Sequence, residues 1–256
     1  PWNEENQIVQ IGIKGKSIIK TDAQSNNLVF LLDISGSMRS PDKLPLLVRS
    51  FKILVNNLSE NDRIAIVTYA GNTRILLNPT KGSNKTDIIS ALEKLNAEGS
   101  TSGGEGIKLA YQSAWKEFNP NGNNRVILAT DGDFNVGITD SGELVNYIKT
   151  FSEKGIYLTV LGFGSGNIKD DRMETLADNG NGNYFYIDNL LEGKKVFNNE
   201  LTGTLYTIAN DVKIQVEFNP AIVNTYRLIG YENRLLEDEE FLDDERDAGE
   251  IGSGHY

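Results

Sequence analysis

Leu28-Val29-Phe30-Leu31-Leu32-Asp33-Ile34-Ser35-Gly36-Ser37 runs from five apolar residues straight into an acid, two serines and a glycine. A run with no polar alternation is what a strand buried on both faces requires, because neither side meets water. The same pattern returns at Val126-Ile127-Leu128-Ala129-Thr130-Asp131-Gly132, again ending in a carboxylate and a glycine. Between and after these runs the apolar period changes. Leu47, Phe51, Leu54, Val55 and Leu58 fall at helical spacing within Pro41 to Leu58. Further helices are predicted at Lys85 to Leu95, Gly106 to Phe118, Gly142 to Ser152, Lys169 to Ala177 and Leu190 to Ala209. Further strands are predicted at Ile64 to Tyr69, Arg74 to Leu77, Ile156 to Phe163 and Tyr184 to Ile187.

Strand–helix alternation of this kind predicts an α/β domain, a doubly wound and mostly parallel sheet with helices on both faces. Ligands in such sheets bind beyond the carboxyl ends of the strands, at the point where strand order reverses. The residues after Leu32 and Thr130 are therefore the place to seek a site. The chain is expected to divide into a flanking β segment at 1–26, the α/β domain at 27–210, and a second flanking segment at 211–256. Val212 to Phe218 alternates as a half-exposed strand should, Val223 to Ile229 looks like a second, and Ile8 to Ile13 could join them in a small antiparallel unit.

Composition narrows the chemistry. The 256 residues carry 36 acids against 25 Lys and Arg, a formal charge of −11, which opposes binding to nucleic acid or an anionic membrane. That charge is uneven: Glu237 to Glu250 holds nine acids and Arg246, a net of −8, leaving −3 for the other 242 residues. With no cysteine there can be no disulfide, thiolate zinc site, iron–sulfur cluster or Cys nucleophile. The one histidine is His255, so a His-based triad or multi-His metal site is excluded. No apolar run approaches the roughly 18 residues of a membrane span. The chain opens on Pro1 and carries no secretory signal, as expected of a trimmed piece of a longer protein.

What remains at the strand ends is oxygen. Asp33, Ser35 and Ser37 occupy alternate positions in a tight loop, and Asp131 stands at the equivalent edge of another buried strand. The loop Gly99-Ser100-Thr101-Ser102-Gly103-Gly104 adds further hydroxyls. Carboxylates and hydroxyls without nitrogen or sulfur suit a hard cation, Mg²⁺ before Zn²⁺ or copper.

Asp33-Ile34-Ser35-Gly36-Ser37, with Thr101 and Thr130-Asp131-Gly132, resembles the metal-ion-dependent adhesion site of von Willebrand factor type A domains. The resemblance covers residues 27 to 210 and implies the Rossmann-like type A fold. It implies that Ser35, Ser37 and Thr101 give hydroxyl oxygens to Mg²⁺, with Mn²⁺ or Ca²⁺ as substitutes. Asp33 and Asp131 act directly or through water, and one position is left for a Glu or Asp carboxylate of a partner protein, or of the same parent chain. It also implies a non-enzymatic, adhesive role and a last helix, Leu190 to Ala209, able to shift when the site is engaged. Asn26 to Leu46, Ala129 to Val136 and Gly180 to Asn189 further resemble a bacterial envelope or lipoprotein subfamily, with Val212 to Glu232 and Asp247 to His255 like its downstream segment. A bacterial envelope or secreted location, with no membrane insertion by this part of the chain, is the expectation that follows.

Rival readings exist for each feature. Asp33, Ser35 and Ser37 could merely cap the next helix, and Ser100 and Ser102 compete with Thr101. Asp133 is expected to be solvated, and Glu105 to serve the helix dipole. Gly162-Phe163-Gly164-Ser165-Gly166 imitates a dinucleotide loop, but Asn167 stands where the third glycine belongs, so a tight strand–helix turn is expected. A Mg²⁺-dependent phosphohydrolase with Asp33 as nucleophile is the enzymatic alternative. Against it, Ser35 stands where an acid/base Asp is usual, and no His or Lys lies in the predicted site loops.

Overall fold

The computed structural model describes residues 7–15, 25–99, 103–132, 141–165, 170–201, 207–209, 212–229, 236, 241 and 251–252. The run quoted first forms β1 (Asn26–Asp33), all eight of whose residues are buried. Because side chains alternate across a strand, Leu28, Phe30 and Leu32 enter one apolar layer while Val29 and Leu31 enter the other. The first layer is completed by α1 (Leu44–Asn57), α2 (Lys85–Glu93) and α6 (Leu190–Lys195). The second is completed by α3 (Gly103–Lys116), α4 (Ser141–Ser152) and α5 (Asp170–Asn179).

The remaining strands are β2 (Arg63–Tyr69), β3 (Arg74–Lys81), β4 (Asn123–Thr130), β5 (Ile156–Phe163) and β6 (Tyr184–Ile187), in the order β3-β2-β1-β4-β5-β6. All neighbours are parallel except β2 and β3, which are antiparallel. The chain leaves β1 for β2 on one side and later fills the other side with β4. The reversal point therefore lies between β1 and β4, the two strands that end in Asp33 and Thr130. Their register pairs Leu32 with Ala129, which sets Asp33 level with Thr130, while β2 pairs Tyr69 with Asp33.

Helix α3 begins Gly103-Gly104-Glu105-Gly106, a costly opening for a helix, since each Gly costs about 1 kcal/mol relative to Ala. Gly106 has a steric reason to be there: a Cβ would lie 3.0 Å from Tyr69 Cβ and 3.2 Å from Leu31 Cδ1. Its absence lets α3 press against β1 and β2 directly behind the strand ends.

Two expectations differ from the structure. The last helix does not run to Ala209. After Lys195 it widens into a π-helical turn, Val196–Glu200, that buries Phe197, and Thr207–Ala209 is a strand (β7) paired antiparallel with Ile251–Gly252 (β8). Thr207 and Ile208 are β-branched, which favours a strand over a helix. The second difference concerns the flanks. The antiparallel pair is built by β7 and β8, and residues 7–15 and 212–229 contain no strand. Alternation needs a surface on which to bury its apolar side, and here Ile8, Ile214, Ile222 and Ile229 are exposed. Phe218 and Tyr226 instead pack on each other at 4.8 Å around a turn in which Asn219 accepts from Ile222 and Val223.

The opposite, amino-terminal end of the sheet is closed by side-chain amides and one buried acid. Asp62 accepts the Asn26 backbone N–H and amide at 2.8 Å each and the Ser59 N–H at 2.6 Å. Removing it leaves buried donors unmatched. Asp62→Ala is expected to cost about 2–4 kcal/mol in urea unfolding, with no change in ligand binding at the far end of the sheet.

Candidate metal centre

Asp33 has no exposed surface, and three donors converge on it. The Ser35 backbone N–H reaches Oδ1 at 2.8 Å, and the Tyr69 and Thr130 hydroxyls both donate to Oδ2 at 3.1 Å. The strand register produces this arrangement, since Tyr69 and Thr130 flank Asp33 on β2 and β4. Thr130 Oγ1 in turn accepts the Gly132 N–H at 3.3 Å, tying the second loop to the same knot.

Beyond Asp33 the first loop enters a short 3₁₀ turn, Gly36–Arg39, with Met38 buried beneath it. The loop is stitched to its neighbours by backbone: Ile34 N–H to Tyr69 O, Glu98 N–H to Ile34 O at 2.7 Å, and Gly36 N–H to Gly99 O at 3.1 Å. The result sets Ser35 Oγ and Ser37 Oγ 2.9 Å apart, the first buried and the second exposed. The site thus has a buried acid at its base and a hydroxyl at its mouth. Neither Asp33 nor Ser35 acts as a side-chain cap for the next helix: the 3₁₀ turn has no side-chain cap, and α1 begins after Lys43.

Asp131, at the end of β4, has a side chain only 1 % exposed and meets Lys43 Nζ at 2.8 Å. Four of the five predicted ligands, Asp33, Ser35, Ser37 and Asp131, are brought to one end of the sheet. Thr101 lies outside the described residues, as do Ser100, Ser102 and Asp133. Glu105 sits exposed in the first turn of α3, as a dipole partner should.

Two contributors were missed by sequence reasoning. Tyr69 reads as one more apolar strand residue, and only its place as the last residue of β2 hinted at a site role. Lys43 lies before the predicted helical face and beyond the predicted loop; no lysine stands in the site loops themselves, and this one reaches Asp131 because of where the chain turns.

The electrostatics follow from burial. Loss of solvent pushes the Asp33 carboxyl up from its ordinary value of 3.8, with the Asp131 charge pushing the same way. Hydrogen bonds from Ser35 and Thr130 pull it back without cancelling the shift. The Tyr69 hydroxyl is pushed well up by its own burial and then by the Asp33 charge, so it stays a donor.

As a donor set the site suits a hard dication. Among the described residues no three His, Cys, Asp or Glu side chains gather as a metal cluster, so any cation here must rely on hydroxyls beside the two acids. Ser35 Oγ and Ser37 Oγ share a hydrogen bond at 2.9 Å, a separation that also matches the edge of an octahedron with bonds of about 2.0–2.1 Å, the Mg²⁺ value. The residues present fit the ion.

A pH consequence can be checked in EDTA. The folded Asp33 pKa lies above its unfolded value, so between the two the folded state holds more protons. This group therefore costs stability at neutral pH, and that cost is relieved as pH falls through the raised pKa toward 3.8. Asp33→Asn, which removes the buried charge, is expected to raise the melting temperature at pH 7 by about 2–4 °C per kcal/mol recovered and to flatten the pH dependence. Both are read by calorimetry across pH 4 to 7 on the two proteins.

Comparison with known proteins agrees with this architecture. Residues 27–199 match the model of the von Willebrand factor type A domain, and residues 203–256 match a model described as "Uncharacterized protein YfbK, C-terminal". Protein YfbK of Escherichia coli (strain K12) is 50 % identical over all 256 residues, and the chain spans 44 % of that relative's length. A solved type A structure from Catenulispora acidiphila has a TM-score of 0.62 at 19 % identity, covering 73 % of this chain and 44 % of its own. An aerotolerance-related membrane protein from Bacteroides fragilis NCTC 9343, solved with multiple substitutions to serine, has a TM-score of 0.55 at 25 % identity, covering 68 % of this chain and 97 % of its own. A buried acid and paired serines at the reversal point of a doubly wound sheet, together with a family match across two thirds of its length, place this chain in the von Willebrand factor type A domain family.

Proposed function

We propose that this domain is a divalent-cation-dependent protein-binding module. Ser35 and Ser37, with Thr101, offer hydroxyl oxygens to Mg²⁺, and Asp33 and Asp131 balance its charge directly or through water. A Glu or Asp carboxylate of a partner completes the shell. The observation that carries this reading is the pair of serine hydroxyls 2.9 Å apart above a fully buried carboxylate. Hydroxyls satisfy the coordination of a dication while neutralising little of its charge, so an external carboxylate remains attractive. Ser37 is exposed, which gives such a carboxylate a way in.

The same geometry disfavours an aspartyl nucleophile. Asp33 is fully buried and held by three donors, whereas a nucleophilic carboxylate must meet the substrate. We read the site as a grip and not a catalyst. Similarity to a B. fragilis membrane protein supports placing the parent protein at a bacterial envelope. No described helix is long and apolar enough to cross a membrane.

Calorimetric titration with Mg²⁺ is expected to give saturable one-site binding that Asp33→Ala abolishes and Ser37→Ala weakens by at least about tenfold, the loss of one good ligand. A partner captured from an envelope extract in Mg²⁺ should be released by EDTA and not captured by Asp33→Ala. Capture that persists in EDTA would overturn the reading.

A further inference from the structure

The glycine loop after β5 resembles a nucleotide-binding turn in sequence, yet in the structure it holds a lysine. Gly164 has φ +114°, a backbone conformation open to glycine, and donates its N–H to Ile187 O at 3.3 Å. Its missing side chain makes room for Lys43: a Cβ there would stand 2.9 Å from Lys43 Cε and 3.0 Å from Lys43 Cγ. Next to it, Asp42 accepts both the backbone N–H and the hydroxyl of Ser165 at 2.8 Å, and also the Ser40 hydroxyl. These bonds hold the Asp42 carboxyl well below its usual range, so the staple stays charged. The turn ahead of α1 is thus pinned to the loop after β5, and Lys43 is laid across Gly164 toward the end of β4.

There its ammonium meets Asp131 at 2.8 Å, with the lysine side chain 24 % exposed and the carboxylate almost wholly buried. Asp131 is one of the two acids proposed to balance the cation, so one carboxylate is addressed by two positive groups. We propose that Lys43 is a built-in competitor for the divalent cation: its ammonium neutralises Asp131 when no metal is bound, and must leave that carboxylate for the metal to take it. This rests on the cation-binding reading above and deepens it, assigning to Lys43 the setting of cation affinity. The device has a plain physical purpose. Asp33 and Asp131 repel each other at this strand end, and an apo site without a counter-charge would strain the fold. The cost of keeping that apo form intact is weaker metal binding.

The test compares wild type, Lys43→Met and Lys43→Arg, stripped of metal and titrated with MgCl₂ by calorimetry at fixed ionic strength, with melting temperatures in EDTA. Lys43→Met keeps the stem over Gly164 and removes the charge. It is expected to bind Mg²⁺ about tenfold more tightly and to melt lower than wild type in EDTA. That loss should disappear when Asp131→Asn is also present, and Lys43→Arg should stay close to wild type in affinity. Wild type that binds Mg²⁺ beside a Lys43→Met protein with equal or weaker affinity would overturn the competitor role and leave the cation site standing. Failure of both proteins to bind Mg²⁺, Mn²⁺ or Ca²⁺ would overturn the cation site itself, and the competitor role with it.

Discussion

A carboxylate with no exposed surface stands where three strand ends meet, its pKa raised by burial and then by the charge of a second carboxylate. The structure depends on making that tolerable. The parallel register of β1 with β2 and β4 supplies the Tyr69 and Thr130 hydroxyls on either side of Asp33, and the loop beyond it turns back to give the Ser35 N–H. Gly106 lets α3 close over the back of this arrangement, and Lys43 answers the second charge from the other side. On the proposed reading, what those groups leave uncompensated is what would attract a dication. Burial that is costly for the apo fold is, on this account, what gives the bound cation its place.

Much of this was legible in the chain because the relevant signals are local. An apolar run of four or five residues has few places to go other than the centre of a sheet, and Leu28 to Leu32 and Val126 to Ala129 became adjacent central strands. Acids and hydroxyls immediately after those runs had to emerge at one sheet edge, so Asp33, Ser35, Ser37 and Asp131 converged without further assumption. Strand order and the antiparallel turn of β3 were not readable in the same way, since pairing is a relation between distant segments.

The residues that were missed share a cause. Tyr69 looked apolar because its ring is buried in the core, and its role lies in one hydroxyl whose neighbour is set by register. Lys43 is ten residues from Asp33 and 88 from Asp131, and it arrives through a turn fastened by Asp42 to Ser165. Neither is a motif; each is a consequence of folding. The flanking segments erred in the opposite direction. Val212 to Phe218 alternates correctly for a strand, but alternation states only that one face seeks burial, and among the described residues 212–229 pair with no strand.

The most direct test of the account is anomalous diffraction from crystals grown with Mn²⁺ in place of Mg²⁺. The account predicts one strong peak within coordination distance of Ser35 Oγ and Ser37 Oγ, at about 2.0–2.3 Å, on the open side of Asp33, with Lys43 Nζ withdrawn from Asp131. No peak between the two serines at saturating Mn²⁺ would contradict it, and Mn²⁺ bound elsewhere with Lys43 still on Asp131 would do so equally.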